Sequence, residues 1–120
     1  MSIAGSRAAD VLSNQTQIVA QWSDDADFDF LAAIAERLIT SARDTYEVDG
    51  HDVGSGTFNV FIYADDAKVD AAIALVIQLC KEGVIPPEMK LGVAVYQDVE
   101  RTEWTFRPEY PPSLSEFELM

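Results

Sequence analysis

The residues of this chain most able to do chemistry stand together in the stretch DGHDVGSG (49–56), which holds its single histidine. His51 lies between two carboxylates, Asp49 and Asp52. An imidazole titrates near neutral pH, and a carboxylate that orients it can make it a general base. One reading is therefore a small enzyme that uses His51 with Asp49 or Asp52, with nearby carboxylates holding a metal. The stretch lacks the Lys-Ser/Thr of a phosphate-cradling loop and the full G-x-G-x-x-G spacing. The structural alternative is a turn that positions a hairpin. Gly50, Gly54 and Gly56 are half of the chain's 6 glycines and mark unusual backbone geometry there.

A second acidic group, Asp24, Asp25, Asp27 and Asp29, could hold a divalent cation through carboxylate oxygens. Its spacing lacks the register of a calcium-binding EF-hand loop. Asp65, Asp66 and Asp70 repeat the pattern later, so a shared structural need, capping two helix starts, explains it better. Cys80 is the only cysteine, which excludes an internal disulfide and a multi-cysteine zinc site. It falls on an apolar helical stripe and reads as packing. No cofactor is expected.

These residues must be positioned by regular elements, and the sequence repeats itself where those elements begin. QIVAQWSDDADFDFLAAIAERL (17–38) lies over FNVFIYADDAKVDAAIALVIQL (58–79), which places Trp22 on Tyr63 and Asp24 and Asp25 on Asp65 and Asp66. Each copy is an apolar run, an aromatic, an Asp-Asp pair and then a helical period. Phe28, Leu31, Ala35, Leu38, Ile39 and Ala42 form the apolar stripe of the first helix. Val69, Ala72, Ile73, Val76, Leu79 and Cys80 form that of the second. Gly83 and the pair Pro86-Pro87 end the second helix. Strands are predicted at 17–22, 57–64, 91–99 and 102–107, with a weaker one near 46–48 that leads into a glycine-rich loop or hairpin.

The resulting order is β-α-β-β-α-β plus one C-terminal strand. That predicts an α+β fold, a ferredoxin-like split βαβ sandwich with an antiparallel sheet and two helices on one face. Right-handed crossovers would set the strands at 17–22 and 57–64 side by side. Residues 1–15 read as an N-terminal tail, 16–108 as the single domain and 109–120 as a C-terminal tail too rich in proline for a central strand.

Two helices on one face leave the other face open. Strand alternation places Phe61, Tyr63, Tyr96 and Trp104 there, with Phe106, as a candidate binding surface. Cover could come from the chain's own tail through Tyr110, Phe117 and Leu119, from a second copy in a homodimer, or from a foreign partner or ligand. A ligand-sensing dimer is one form of this reading.

Across VDGHDVGSGTFNVFIYADD (48–66) the chain resembles small acidic bacterial α/β proteins of uncertain role, some encoded as immunity partners of secreted toxins. The resemblance implies a non-enzymatic protein that masks a basic partner by charge and shape, and it carries no catalytic assignment.

Charge agrees with that class. Twenty-one acidic residues against 8 basic ones give −13, with a pI near 4.1. Such a field repels phosphate backbones and anionic bilayers, so neither nucleic acid nor membrane is an expected partner. A basic protein is compatible with it, and so is plain solubility. The first fifteen residues lack the charged and apolar regions of a signal peptide, which makes the cytoplasm the default expectation. The leading functional reading is a non-enzymatic acidic protein-binding module.

Overall fold

Among the described residues, runs rich in β-branched and aromatic residues build four strands, a glycine- and aspartate-rich run builds a fifth at the sheet edge, and two one-sided apolar periods build two helices. A computed structural model of the chain describes residues 14–23, 28–54 and 56–117. The elements are β1 (Gln15–Ser23), α1 (Phe28–Thr40), β2 (Glu47–Gly54), β3 (Thr57–Asp65), a 3-10 turn (Asp66–Lys68), α2 (Val69–Lys81), β4 (Lys90–Tyr96) and β5 (Trp104–Tyr110). Asp24, Asp25, Ala26, Asp27, Ser55 and Leu119, and the side chain of Phe28, lie outside the described residues.

The strands form one sheet in the order β2-β3-β1-β4-β5, and every neighbouring pair is antiparallel. The expected adjacency of the first and third strands is present, with Ile18 opposite Ile62 and Ala20 opposite Val60. The added C-terminal strand pairs with β4. The connections through α1 and α2 each pass over one intervening strand, while β2–β3 and β4–β5 join neighbours.

Period-two alternation splits the sheet into two faces. Ile18, Ala20, Trp22, Phe58, Val60, Ile62, Leu91 and Val93 pack in one buried cluster with Leu31, Ile34, Ala35 and Leu38 of α1. Ala72, Ile73, Val76, Leu79 and Cys80 of α2 belong to the same cluster, so both helices lie on one face. Burial at this density is where the chain's stability resides, since a fully buried leucine or isoleucine contributes roughly 1.5–3 kcal/mol.

The internal repeat holds, but not in one register. The helices are related by an offset of forty-one residues and the strands by forty-two. The difference matters because an odd offset exchanges the two faces of a strand. Trp22 lies on the helix-side core, where its indole N–H donates to the Pro86 carbonyl at 3.0 Å. Tyr63 lies on the opposite face beside Gln17. Ala64, not Tyr63, is the strand equivalent of Trp22.

Capping by the second Asp-Asp pair is overturned. Neither Asp65 ahead of the 3-10 turn nor Lys68 ahead of α2 makes a side-chain capping bond. Asp65 instead accepts from Gln15 Nε2 at 2.9 Å, and Asp66 accepts from Thr16 Oγ1 at 2.8 Å. The carboxylates fasten the start of β1 to the end of β3. Asp70 does stand in the first turn of α2, where a carboxylate complements the helix dipole. At the other end of α2, the Gly83 N–H donates to the Cys80 carbonyl and the Val84 N–H to the Leu79 carbonyl. With Gly83 at φ 78° this is the Schellman ending expected of that glycine.

Three further differences have local causes. Ile39 is 53 % exposed because Ile34 completes the α1 stripe with Leu31, Ala35 and Leu38, leaving Ile39 about 100° round the helix from Leu38. The weak strand expected near 46–48 continues through Gly54 as β2, so that of the loop or hairpin expected there the hairpin with β3 is present, with a register shift between Val48 and Gly50. Gly54 pairs with Thr57, and Gly56 between them has φ 86°. The last strand runs through Pro108 to Tyr110, beyond the predicted domain edge, which an edge strand tolerates because its outer backbone needs no partner.

Candidate functional site

The predicted catalytic residues all fall on β2, at one edge of the sheet. Strand alternation then decides what they can do together. His51 is opposite Val60 and its ring stands 5.5 Å from Phe58, both members of the helix-side core. Asp52 is opposite Asn59 and its Oδ1 accepts from Asn59 Nδ2 at 3.0 Å. Asn59 in turn accepts from Gln21 Nε2 at 2.9 Å, so Asp52 ends a polar row that crosses three strands on the far face. His51 and Asp52, adjacent in sequence, serve opposite faces and make no dyad. Asp49 occupies the register shift and lines a shallow groove with His51. Among the described residues, no three His, Cys, Asp or Glu side chains gather into a group able to hold a metal ion.

That groove, of about 300 Å³, runs between β2 and α1. Its floor is apolar, from Ala35, Ile39 and Val48, and Glu36 and Asp49 stand among its lining residues. No lysine or arginine lines it. Farther along the same strand Val53 is 46 % exposed. Edge strand, apolar floor and acidic rim thus occur together. The sequence marked His51 and Asp49 but not Glu36, and it placed Ile39 on the apolar stripe of the helix.

The aromatic far face is largely closed. Phe61 and Tyr63 are buried, at 6 % and 3 % exposure, and do not form an open platform. Phe61 packs with Val19 and Phe117, and Phe106 and Leu114 flank them. The Phe117 ring lies 5.5 Å from that of Phe106 and occupies the space above Gly92, where an added Cβ would come within 2.6 Å of it. The chain's own C-terminal segment therefore supplies cover through Phe117. Tyr110 does not join it, since it packs against the helix-side core. Tyr63 is bonded through its hydroxyl, which accepts from Gln17 Nε2 at 3.1 Å. Trp104, at 40 % exposure, is the most open of the four predicted surface residues.

Tyr96 is half-buried and belongs to a clasp that sequence reading missed. Its hydroxyl accepts from the Gln17 backbone N–H at 3.0 Å, and the Arg101 guanidinium lies 4.7 Å over its ring. Arg101 also pairs with Asp66 at 2.6 Å and donates to the Gln15 carbonyl. The Arg101 bonds hold the Asp66 carboxyl below the usual aspartate range. Asp98 shapes the same β4–β5 turn by accepting from the backbone N–H groups of Thr102 and Glu103. This explains both aspartates as supports of the turn. Arg101 has φ 59°, a conformation uncommon for a side-chain-bearing residue and recoverable only from coordinates.

Cys80 is buried, with its thiol pointed at the Pro86 and Pro87 carbonyls, and burial raises its pKa. It packs the core, as the sequence indicated. A wider hollow of about 570 Å³ opens where the α1–β2 connection meets Lys68 and Asp65. Its walls mix Arg43 and Lys68 with Asp44, Glu47 and Asp65, so it presents no dominant charge. No helix is long and apolar enough to cross a membrane among the described residues. No family model matches this chain, and neither the curated proteins nor the solved structures contain a match to it.

Proposed function

We propose that the chain is a non-enzymatic acidic module that binds a basic protein, with immunity-type masking of that partner as the form the sequence resemblance implies. The observation that carries this reading is the edge of the sheet at β2, where an apolar groove is lined with carboxylates and holds no lysine or arginine. The split of His51 and Asp52 between two faces weighs against that pair as the general base of the competing enzyme reading, which leaves it His51 with Asp49 alone. Closure of the far face by Phe117 likewise weighs against an open aromatic ligand platform.

We infer also that the architecture is a ferredoxin-like split βαβ with one added C-terminal strand. It is supported by the element order and by two helical crossovers that each pass over one strand of the other unit.

A net charge of −13 attracts a cationic partner over roughly a Debye length and raises its association rate. The test is a purified basic partner, recovered on the immobilised chain at low salt, then titrated by calorimetry for stoichiometry and followed by stopped-flow mixing for its association rate. The expected result is one-to-one binding whose association rate falls steeply with added salt. Recovery of no basic partner, or binding indifferent to salt, refutes the proposal.

A further inference from the structure

Resting on that reading, we infer that β2 is where the partner docks, by adding an extended lysine- or arginine-bearing segment to the sheet as a sixth strand. An edge strand presents unpaired backbone donors and acceptors along its outer side, and an extended peptide can complete them. The sheet has two edges, and they are not equivalent. β5 carries Pro108, which removes a backbone donor and blunts that edge. β2 (EVDGHDVG) contains no proline.

The side chains around β2 select the occupant. An added strand would meet the groove against α1 on one side, where Ile39 and Val48 offer apolar contact. Glu36 and Asp49 in the same lining favour cations on the incoming segment. A second copy of this chain is disfavoured, because edge-to-edge pairing would set the carboxylates of β2 against their own counterparts. A basic strand that alternates cationic and β-branched residues satisfies both the groove and the rim.

The experiment uses the full chain and two fluorescent peptides of about eight residues. One alternates lysine with valine; the other alternates lysine with proline, which keeps the charge and forbids strand pairing. Anisotropy at low salt should show the valine peptide binding at least about tenfold more tightly. Amide resonances of residues 47–54 should shift more than those of β5. The double variant E36K/D49K should weaken the valine peptide about tenfold, while E100K/E103K, with the same change in charge far along the sheet order, should weaken it less than about threefold.

Equal binding of both peptides, or equal loss in both double variants, overturns strand addition and leaves the acidic-module reading standing. Shifts centred on β5 do the same. Failure of both peptides to bind overturns both readings. The resonance mapping uses the unaltered chain and decides the matter if E36K/D49K does not fold.

Discussion

Replacing Tyr46 with phenylalanine tests how the first crossover is tied together. The hydroxyl donates to the Leu38 carbonyl at 2.7 Å, eight residues back, and the side chain is buried. Leu38 lies in the last turn of α1, where carbonyls run out of helical donors. Removing the hydroxyl leaves that acceptor without its partner, at an expected cost of about 1–3 kcal/mol near neutral pH. The same burial pushes the phenol pKa from 10.0 up to about 12. A pKa raised in the folded state means stability that is intact below the unfolded pKa and lost as pH rises through the folded one. Two pKa units correspond to roughly 2–3 kcal/mol, lost progressively between pH 10 and 12. Phenylalanine has no such ionisation. Urea denaturation should therefore find the variant less stable at pH 7 and the gap between the two proteins narrowing as pH rises from 10 to 12. A variant as stable as the parent at pH 7, or a constant difference between the two across this range, would refute the account of Tyr46 as a buried, helix-terminating donor.

Gly92→Ala should cost about 1–3 kcal/mol in chemical denaturation, because its methyl would enter the Phe117 ring. In a Phe117→Ala background the same change should be close to neutral, and additivity of the two losses would show that the ring does not seat there. Asp66→Asn removes the Arg101 ion pair, worth no more than about 1 kcal/mol at this exposure. Since the Asp66 pKa is lowered on folding, its contribution is present above the unfolded value of 3.8 and lost as pH falls through the folded one. The deficit of the variant should accordingly be seen at pH 6 and shrink as the solution is made more acid than pH 3.8; a deficit that does not shrink would assign the loss to the Thr16 contact instead.

Much of the architecture was legible because it rests on local periodicity. A stripe such as Val69, Ala72, Ile73, Val76 and Leu79 can bury one face only as a helix, and Gly83 can end it only in a left-handed conformation. Strand alternation likewise placed Phe58, Val60 and Ile62 opposite Asn59, Phe61 and Tyr63. Composition alone established the charge that disfavours nucleic acid and anionic membranes. The candidate site was legible only in fragments. His51, Asp49 and Asp52 were visible as a cluster along the chain, but a cluster in sequence becomes a site only if side chains converge. A strand sends neighbours to opposite faces, and a single register shift at Asp49 changes which ones.

Tertiary structure decided the matters that depend on residues distant in the chain. Asp65 and Asp66 resembled helix caps until Gln15, Thr16 and Arg101 were brought to them from other strands. The aromatic face looked open until Phe117 was laid across Gly92. The pairing of Glu36 and Ile39 with the β2 edge arose only when α1 packed beside that strand. Local pattern determines which elements form, because backbone and side-chain preferences act within a few residues. What those elements present to a partner depends on packing among residues far apart in sequence, which short-range periodicity does not encode.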